Sequence, residues 1–113
     1  MADIAASNQL AEKTRALLSD LWDRNLPIIH ARLNLLDEAA NAEPLPDKLR
    51  IDAMNVAHKL AGSLGMFGFT EGTRLARQLE LALDVPAPDS SHVALLARQL
   101  REELFPQPSP SAP

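Results

Sequence analysis

Apolar residues recur every three or four positions through most of this 113-residue chain, a spacing that places them on one face of an α-helix. The longest stretch without a helix breaker after Pro27 runs from Pro46 or Asp47 to Met66. Its apolar positions are Leu49, Ala53, Val56, Ala57, Leu60 and Leu64. The pattern predicts one long amphipathic helix in the middle of the chain.

The sequence before this central helix predicts another amphipathic helix, from about Gln9 to Asn41, with Ser7 or Asn8 as a cap at its start. Pro27 lies inside this stretch. Because proline removes one helix hydrogen bond and clashes with the preceding turn, the first helix is predicted to be kinked or split near Pro27.

Two shorter helices are predicted after the central one, with Thr70 as the N-cap of the third and Ser90 or Ser91 as the N-cap of the fourth. Four amphipathic helices with short connections pack best as an antiparallel bundle. We therefore predict an all-α fold, an antiparallel four-helix bundle over residues 1–105, followed by a Pro/Ser-rich tail or linker at 106–113.

The central helix carries His58 about 200° around from Leu60, so the pattern points the imidazole towards solvent. Residues three, four and seven positions further on share that face, and here they are Ala61, Gly62 and Gly65. A glycine inside a helix costs about 1 kcal/mol relative to alanine, so two of them need a reason. The pattern predicts a bare helical surface that another protein can approach closely.

Two motifs bear on the function of this surface. They are His58-x-Leu60-x-Gly62-Ser63, with Gly68 ten residues after the histidine, and Leu75-Ala76-x-x-Leu79-Glu80. Together they resemble the histidine-containing phosphotransfer (HPt) domain family, over about the middle third of the chain. The family commonly has Lys three residues after the histidine, where this chain has Ala61, and Lys59 is a partial substitute.

The resemblance implies that His58 reversibly accepts a phosphoryl group from the aspartate of a response-regulator receiver domain. That partner would bring Mg²⁺ and most catalytic groups, and this chain would bind no cofactor; a hybrid histidine kinase is the other implied partner. The predicted docking residues are Met54, Ala61, Gly62 and Gly65. The predicted helpers are Lys59, Arg74 and Arg77, which would offset phosphoryl charge, and Gln78, which would hold the other ring nitrogen.

Composition narrows the classes of function. A net charge of −4 without a basic patch argues against a nucleic-acid partner. The absence of Cys excludes disulfides and thiolate sites, and the three histidines lie on different helices, so no metal site is predicted.

No signal peptide is visible and no apolar run approaches the roughly 20 residues of a membrane span, so we predict a cytoplasmic monomer without a membrane partner. No phosphate-binding loop is present, which predicts a carrier without an ATP site rather than an enzyme.

Two alternatives stay open. An HPt-like docking module would bind receiver or kinase domains without phosphoryl flow, and Ala61 in place of Lys favours it. The dimerisation helix pair of a histidine kinase also presents an exposed histidine, but it would have an acidic residue where this chain has Lys59. Elsewhere, Met66, Phe67 and Phe69 are predicted to plug the bundle between two helices.

Overall fold

Four α-helices make up the computed structural model, which describes residues 2–107, with side chains from residue 7 onwards. The helices are α1 (Ala2–Asn41), α2 (Asp47–Met66), α3 (Thr70–Leu83) and α4 (Ser90–Leu104). Each helix packs against the next, and α4 packs back against α1, which closes the ring. The predicted all-α four-helix bundle is confirmed.

The core is formed by aliphatic side chains from all four helices, and within the described range no polar or charged side chain is buried. The fully buried leucines are Leu33, Leu36, Leu60, Leu64, Leu79, Leu83 and Leu100. On α2, the predicted stripe is buried at Ala53, Ala57, Leu60 and Leu64 and half-buried at its remaining two positions. The stripe therefore fixes which face of α2 remains outside.

The first helix is continuous for 40 residues and contains Pro27. The prediction that the helix is split at Pro27 is wrong, and its start at Ala2 lies ahead of the predicted caps. Proline removes one hydrogen bond, but Trp22 on one side and Ile29 on the other pack into the bundle. Packing on both sides of the proline outweighs the local defect.

A tight turn reverses the chain between α2 and α3. Gly68 has a φ of +83°, a left-handed conformation that favours glycine. The Phe69 N–H donates to the Leu64 carbonyl at 3.0 Å and the Gly68 N–H donates to the Gly65 carbonyl at 3.2 Å, which is a Schellman motif. A Cβ on Gly72 would lie 3.2 Å from Phe69 Cβ and 3.3 Å from Leu64 Cδ1, so this glycine lets α3 approach α2 closely.

The starts of α3 and α4 differ from the predicted caps. Thr70 is the first helical residue of α3, and Phe69 occupies the N-cap without a side-chain hydrogen bond. On α4 the cap is Asp89, whose Oδ1 accepts from the Ser91 N–H at 3.0 Å and the His92 N–H at 3.3 Å. A carboxylate one residue earlier thus replaces the predicted serine hydroxyl.

The aromatic residues gather where α1 passes the α2–α3 turn and the end of α4. The ring of Trp22 lies 5.2 Å from that of Phe67, 4.9 Å from that of Phe69 and 6.1 Å from that of Phe105. Two members of the predicted plug are in this cluster, but Met66 is 61% exposed and lies outside it. The cluster closes this end of the bundle.

The remaining predictions concern what lies around the bundle. Pro106 and Gln107 follow α4 without regular structure, and the rest of the predicted tail, 108–113, falls outside the described residues. Among residues 2–107, no helix combines the length and the apolar character needed to span a membrane. The same part of the chain contains no group of three or more His, Cys, Asp or Glu arranged to hold a metal ion.

Candidate functional site

His58 projects from the middle of α2, on the face opposite the buried stripe, and its side chain is 77% exposed. The predicted solvent-facing imidazole is therefore present. The ring lies at the groove between α2 and α3, because its Nδ1 is within hydrogen-bonding distance of a carboxylate on α3.

That carboxylate belongs to Glu80, whose Oε2 is 2.9 Å and Oε1 3.3 Å from His58 Nδ1. An ionised carboxylate can only accept hydrogen bonds, so the contact requires the proton to be on Nδ1. In the neutral ring the lone pair is then on Nε2, which is the nitrogen directed away from Glu80. Glu80 therefore selects both the tautomer and the orientation of the imidazole.

The sequence predicted Gln78 for this contact, and the structure places Glu80 there instead. Counted from the α2–α3 turn, Gln78 lies at the same height as His58, but Cβ atoms tilt towards the N-terminus of their helix. The ring of His58 therefore leans away from the turn, and a side chain further along α3 leans back to meet it. Gln78 lines an adjacent surface groove with Gly65 and Thr73.

A shallow cavity of about 350 Å³ surrounds the imidazole. Its lining is formed by His58, Ala61, Gly62, Arg77, Glu80 and Leu81. The cavity thus combines one nucleophilic ring, one carboxylate and one guanidinium within a small, otherwise apolar surface.

The three predicted cations have different positions. Arg77 lines the cavity with His58 and forms no ion pair within the described part of the chain. Arg74 forms a bidentate hydrogen-bonded pair with Glu71, one turn earlier on α3. The hydrogen bond from Arg74 lowers the pKa of the Glu71 carboxyl, and the same bond raises the pKa of Arg74. Lys59 is exposed but lies about 100° round α2 from His58.

Ala61 is buried, at 7% exposure, although it lines the cavity beside His58, so its part in docking stays a prediction. It lies about 60° round α2 from His58, on the flank that packs against α3. The neighbouring α3 residues Arg77 and Glu80 lie beside it at the edge of the cavity. A small residue at this position thus lies between α2 and the cavity-lining residues of α3.

The other predicted docking residues have different surroundings, and of them Gly62 lines the cavity with His58. Gly62 is exposed, and a Cβ added there would meet no atom within 4 Å. Gly65 is also exposed, with Thr73 Oγ1 3.6 Å from the position of its missing Cβ. Met54 is half-buried against the core and its sulfur lies 3.5 Å from Arg50 Nη1. Gly62 is thus the position where the fold itself gives no reason for a glycine.

Sequence reasoning missed two residues of this surface. In the sequence Glu80 is only part of a motif. The tilt of side chains on antiparallel helices is the signal that could have identified it as the partner of His58 Nδ1. Leu81 is 70% exposed beside His58, with Met66 and Ile51 also exposed on the outer face of α2. Leu81 lies off the buried face of α3. That position in the helical pattern is the sequence signal that could have identified it as part of this surface.

The arrangement suits a nucleophile that works on a second molecule. Nε2 is open to solvent, Nδ1 is held by Glu80, and apolar groups flank the ring. Among the described residues, the hydrogen-bonding partner of the His58 ring is Glu80, at Nδ1.

Comparison with known proteins agrees with this geometry. The model of the Hpt domain family matches residues 16–104. Protein RcaC from Microchaete diplosiphon is 37% identical over 68 residues, a segment that covers 58% of this chain but only 10% of that protein. No solved structure matches the chain. The family match covers most of the chain and includes the helix with the exposed His58, so the chain belongs to the Hpt domain family, whose members carry phosphoryl groups on a histidine in phosphorelays.

Proposed function

We propose that His58 Nε2 reversibly accepts a phosphoryl group from the aspartate of a response-regulator receiver domain. The observation that carries the proposal is the combination of an imidazole that is 77% exposed with an Nδ1 held at 2.9 Å by Glu80. A ring that is fixed through one nitrogen and open at the other is prepared for attack on a group presented by a docked partner.

In the forward step the Nε2 lone pair attacks the phosphorus of the aspartyl phosphate. The N–P bond forms as the P–O bond to the aspartate breaks, and the carboxylate leaves with the electron pair. The positive charge that develops on the ring lies beside Glu80, and the proton stays on Nδ1 throughout. The reverse step returns the phosphoryl group to an aspartate, so one site serves both directions of a relay.

Charge on the transferred group has to be offset, because the phosphoryl oxygens are negative on both sides of the reaction. The receiver domain would supply Mg²⁺, and this chain would hold no cofactor of its own. From this chain we assign the role to Arg77, which lines the cavity beside His58, whereas Arg74 is engaged by Glu71. An arginine on α3 would thus take over the function of the lysine that the family commonly has on α2, where this chain has Ala61.

The receiver would dock on the outer faces of α2 and α3. Gly62 has open space in place of a side chain, and the exposed Ile51, Met66 and Leu81 provide apolar contacts around it. Such a partner would cover His58 and exclude water from the transfer step. A receiver joined to a histidine kinase would be recognised by the same surface, and we place the relay in the cytoplasm.

Phosphotransfer from phosphorylated receiver domains in the presence of Mg²⁺ tests the proposal. We expect acid-labile, base-stable label on the wild-type chain and none on His58→Gln. A panel of different receivers is used, so that the label also identifies the preferred donor.

The alternative is a docking module without phosphoryl flow, favoured by Ala61 at the position of the common lysine. It predicts that receivers bind the wild-type chain and His58→Gln equally well and label neither. Calorimetric binding to the same receivers, measured alongside transfer, therefore decides between the two functions. Binding without label would overturn the carrier proposal and leave the docking module.

A further inference from the structure

The N-terminal half of α1 carries an exposed apolar stripe that the site around His58 does not use. Leu10 and Leu17 are each 66% exposed, Leu21 is 42% exposed and Ile28 is 48% exposed. At about 100° per residue, these four side chains fall within about 40° of one another round the helix. Scattered exposed leucines are ordinary, but four on one line over five turns form a continuous surface.

Most of this stripe lies on a part of α1 that extends past the bundle. The buried residues of α1 begin at Ile29, and the molecule measures 63 Å along its longest axis. Since α1 has 40 residues and α2 has 20, about 30 Å of helix projects beyond its neighbours. Most of the stability of a helix in a protein comes from packing of its apolar face, so covering this face would stabilise the projecting part of α1.

The spacing of the stripe is symmetric. The intervals between Leu10, Leu17, Leu21 and Ile28 are seven, four and seven residues, so the pattern is the same in both directions along the helix. If a second copy of α1 lies antiparallel with its centre at the height of residue 19, Leu10 meets Ile28 of the other copy and Leu17 meets Leu21. Every apolar residue then has an apolar partner, which is the property of an interface across a twofold axis.

The charges of this segment also suit a second copy. Between residues 7 and 28 the three acidic residues Glu12, Asp20 and Asp23 balance the three basic residues Lys13, Arg15 and Arg24. Asp20 and Arg24 form an ion pair at 3.0 Å within the helix. A neutral segment in a chain of net charge −4 does not repel its own copy, and it offers little attraction to a strongly charged partner.

From these observations we infer that the chain forms a homodimer through an antiparallel pair of α1 helices, centred near residue 19. The contact runs along α1 from Leu10, on the projecting part, to Ile28, beside the bundle, whereas His58 lies on the outer face of α2, so the dimer leaves both phosphotransfer sites accessible. This assembly differs from the monomer predicted from the sequence. It also differs from a kinase-type dimer, in which the histidine-bearing helices themselves pair.

Sedimentation equilibrium of the full chain, from low to high micromolar concentration, tests the inference. The mass is expected to rise from 12.3 kDa to twice that value. Leu17→Lys is expected to keep the chain at the monomer mass over the same range, with an unchanged far-ultraviolet spectrum at low concentration. The matched control is Leu95→Lys, which alters another exposed leucine, on α4, and is expected to dimerise like the wild type. A wild-type chain that stays monomeric at all concentrations, or a Leu17→Lys chain that still dimerises, contradicts the inference.

Disulfide cross-linking tests whether the two α1 helices are antiparallel. Since the natural chain has no cysteine, only the introduced cysteines can form a cross-link. A mixture of Leu10→Cys and Ile28→Cys chains is expected to cross-link efficiently between the two types. Leu10→Cys alone is expected to cross-link poorly, since its two copies would lie about 27 Å apart in the antiparallel pair. The opposite result would establish a parallel pair and refute the proposed symmetry. Neither test depends on phosphoryl transfer, so failure here leaves the proposed function untouched.

Discussion

At the scale of single residues, the pair of His58 and Glu80 determines what the site can do. The two side chains come from different helices, 22 positions apart in the chain, and neither alone indicates a function. A histidine on an exposed helix face is usually an ordinary surface residue. A carboxylate that holds Nδ1 converts it into a ring with one defined nucleophilic nitrogen.

Replacing Glu80 by Ala is expected to slow phosphoryl transfer to His58 by about 10- to 100-fold, the range seen when a carboxylate that orients a histidine ligand is removed. Glu80→Gln retains an acceptor for the Nδ1 proton and is expected to lose less. Nitrogen NMR of the ring provides a second readout, since the Nδ1–H tautomer should be lost in the alanine variant. The control is Gln78→Ala, which removes the side chain that the sequence predicted for this contact and should transfer at the wild-type rate.

Arg77→Ala and Arg74→Ala are a matched pair of variants, because the two arginines lie about one turn apart on α3. Arg77→Ala should slow transfer about 10-fold or more, because it removes the cation that lines the same cavity as His58. Arg74→Ala should leave the transfer rate unchanged, since that guanidinium is bound to Glu71. Time courses of phosphoryl transfer from one receiver, with the reaction stopped at set intervals, compare the two variants directly. Equal rates for both variants would show that charge neutralisation comes from the receiver alone.

Gly62 and Gly72 are both helical glycines, but their surroundings predict opposite effects of alanine. At Gly62 the added methyl group meets no atom within 4 Å, so Gly62→Ala should stabilise the fold by about 1 kcal/mol through helix propensity. At Gly72 the methyl group would press on Phe69 Cβ at 3.2 Å, which is fixed to the backbone of the turn. Gly72→Ala should therefore cost about 1 kcal/mol, because overpacking exceeds the gain in propensity.

Chemical denaturation at low protein concentration measures both changes. The rate of phosphoryl transfer, measured on the same Gly62→Ala chain, then distinguishes an effect on docking from an effect on stability. If the receiver docks over this position, Gly62→Ala should slow transfer although the protein is more stable. A Gly62→Ala chain that is both more stable and fully active would remove this glycine from the docking surface.

At the scale of secondary-structure elements, the start of α4 provides a local test of capping. Asp89→Ala removes the acceptor for two backbone N–H groups and should cost about 1 kcal/mol of unfolding free energy. Ser90→Ala and Ser91→Ala, at the positions predicted from the sequence, are the controls, and each should change stability by less than about 0.5 kcal/mol. Denaturant titration of the three variants distinguishes the two assignments, and a larger loss at either serine would contradict the structure.

The helices themselves could be predicted from the sequence because their apolar periodicity is set by burial, which acts over many residues. The bounds of α2 and the outward direction of His58 followed from that periodicity. Details that depend on a neighbouring helix did not: α3 covers Ala61, and Glu80 rather than Gln78 reaches His58. A single-helix pattern gives the angle of a side chain round its own axis but not the position of the helix beside it.

Pro27 illustrates the same limit for α1. Local chemistry predicts a kink or a split, because proline removes a helix hydrogen bond. The helix is continuous through Pro27, which contradicts the split, and residues on both sides of the proline pack against the core. Tertiary contacts supply more free energy than one missing hydrogen bond, and these contacts cannot be seen in the sequence of one segment.

At the scale of the whole molecule, the aromatic cluster and the His58 site lie at different positions along the bundle. The aromatic cluster of Trp22, Phe67, Phe69 and Phe105 closes the end where α1 leaves the bundle, and His58 lies further along α2. The cluster therefore fixes the direction in which the projecting part of α1 leaves the domain.

Replacing Trp22 by Ala should lower the free energy of unfolding by about 2–3 kcal/mol, below the 3–5 kcal/mol of a fully buried large aromatic side chain, because Trp22 is only partly buried. The control is Leu95→Ala, which truncates an exposed leucine on α4 and should change stability by less than about 0.5 kcal/mol. Denaturation at low micromolar concentration keeps the chain monomeric and isolates the effect on the fold. Because the cluster lies apart from the Nδ1–Glu80 contact, the folded variant should still transfer phosphoryl groups at the wild-type rate. A large loss of transfer in the folded protein would mean that the aromatic end also controls the position of α2 at His58.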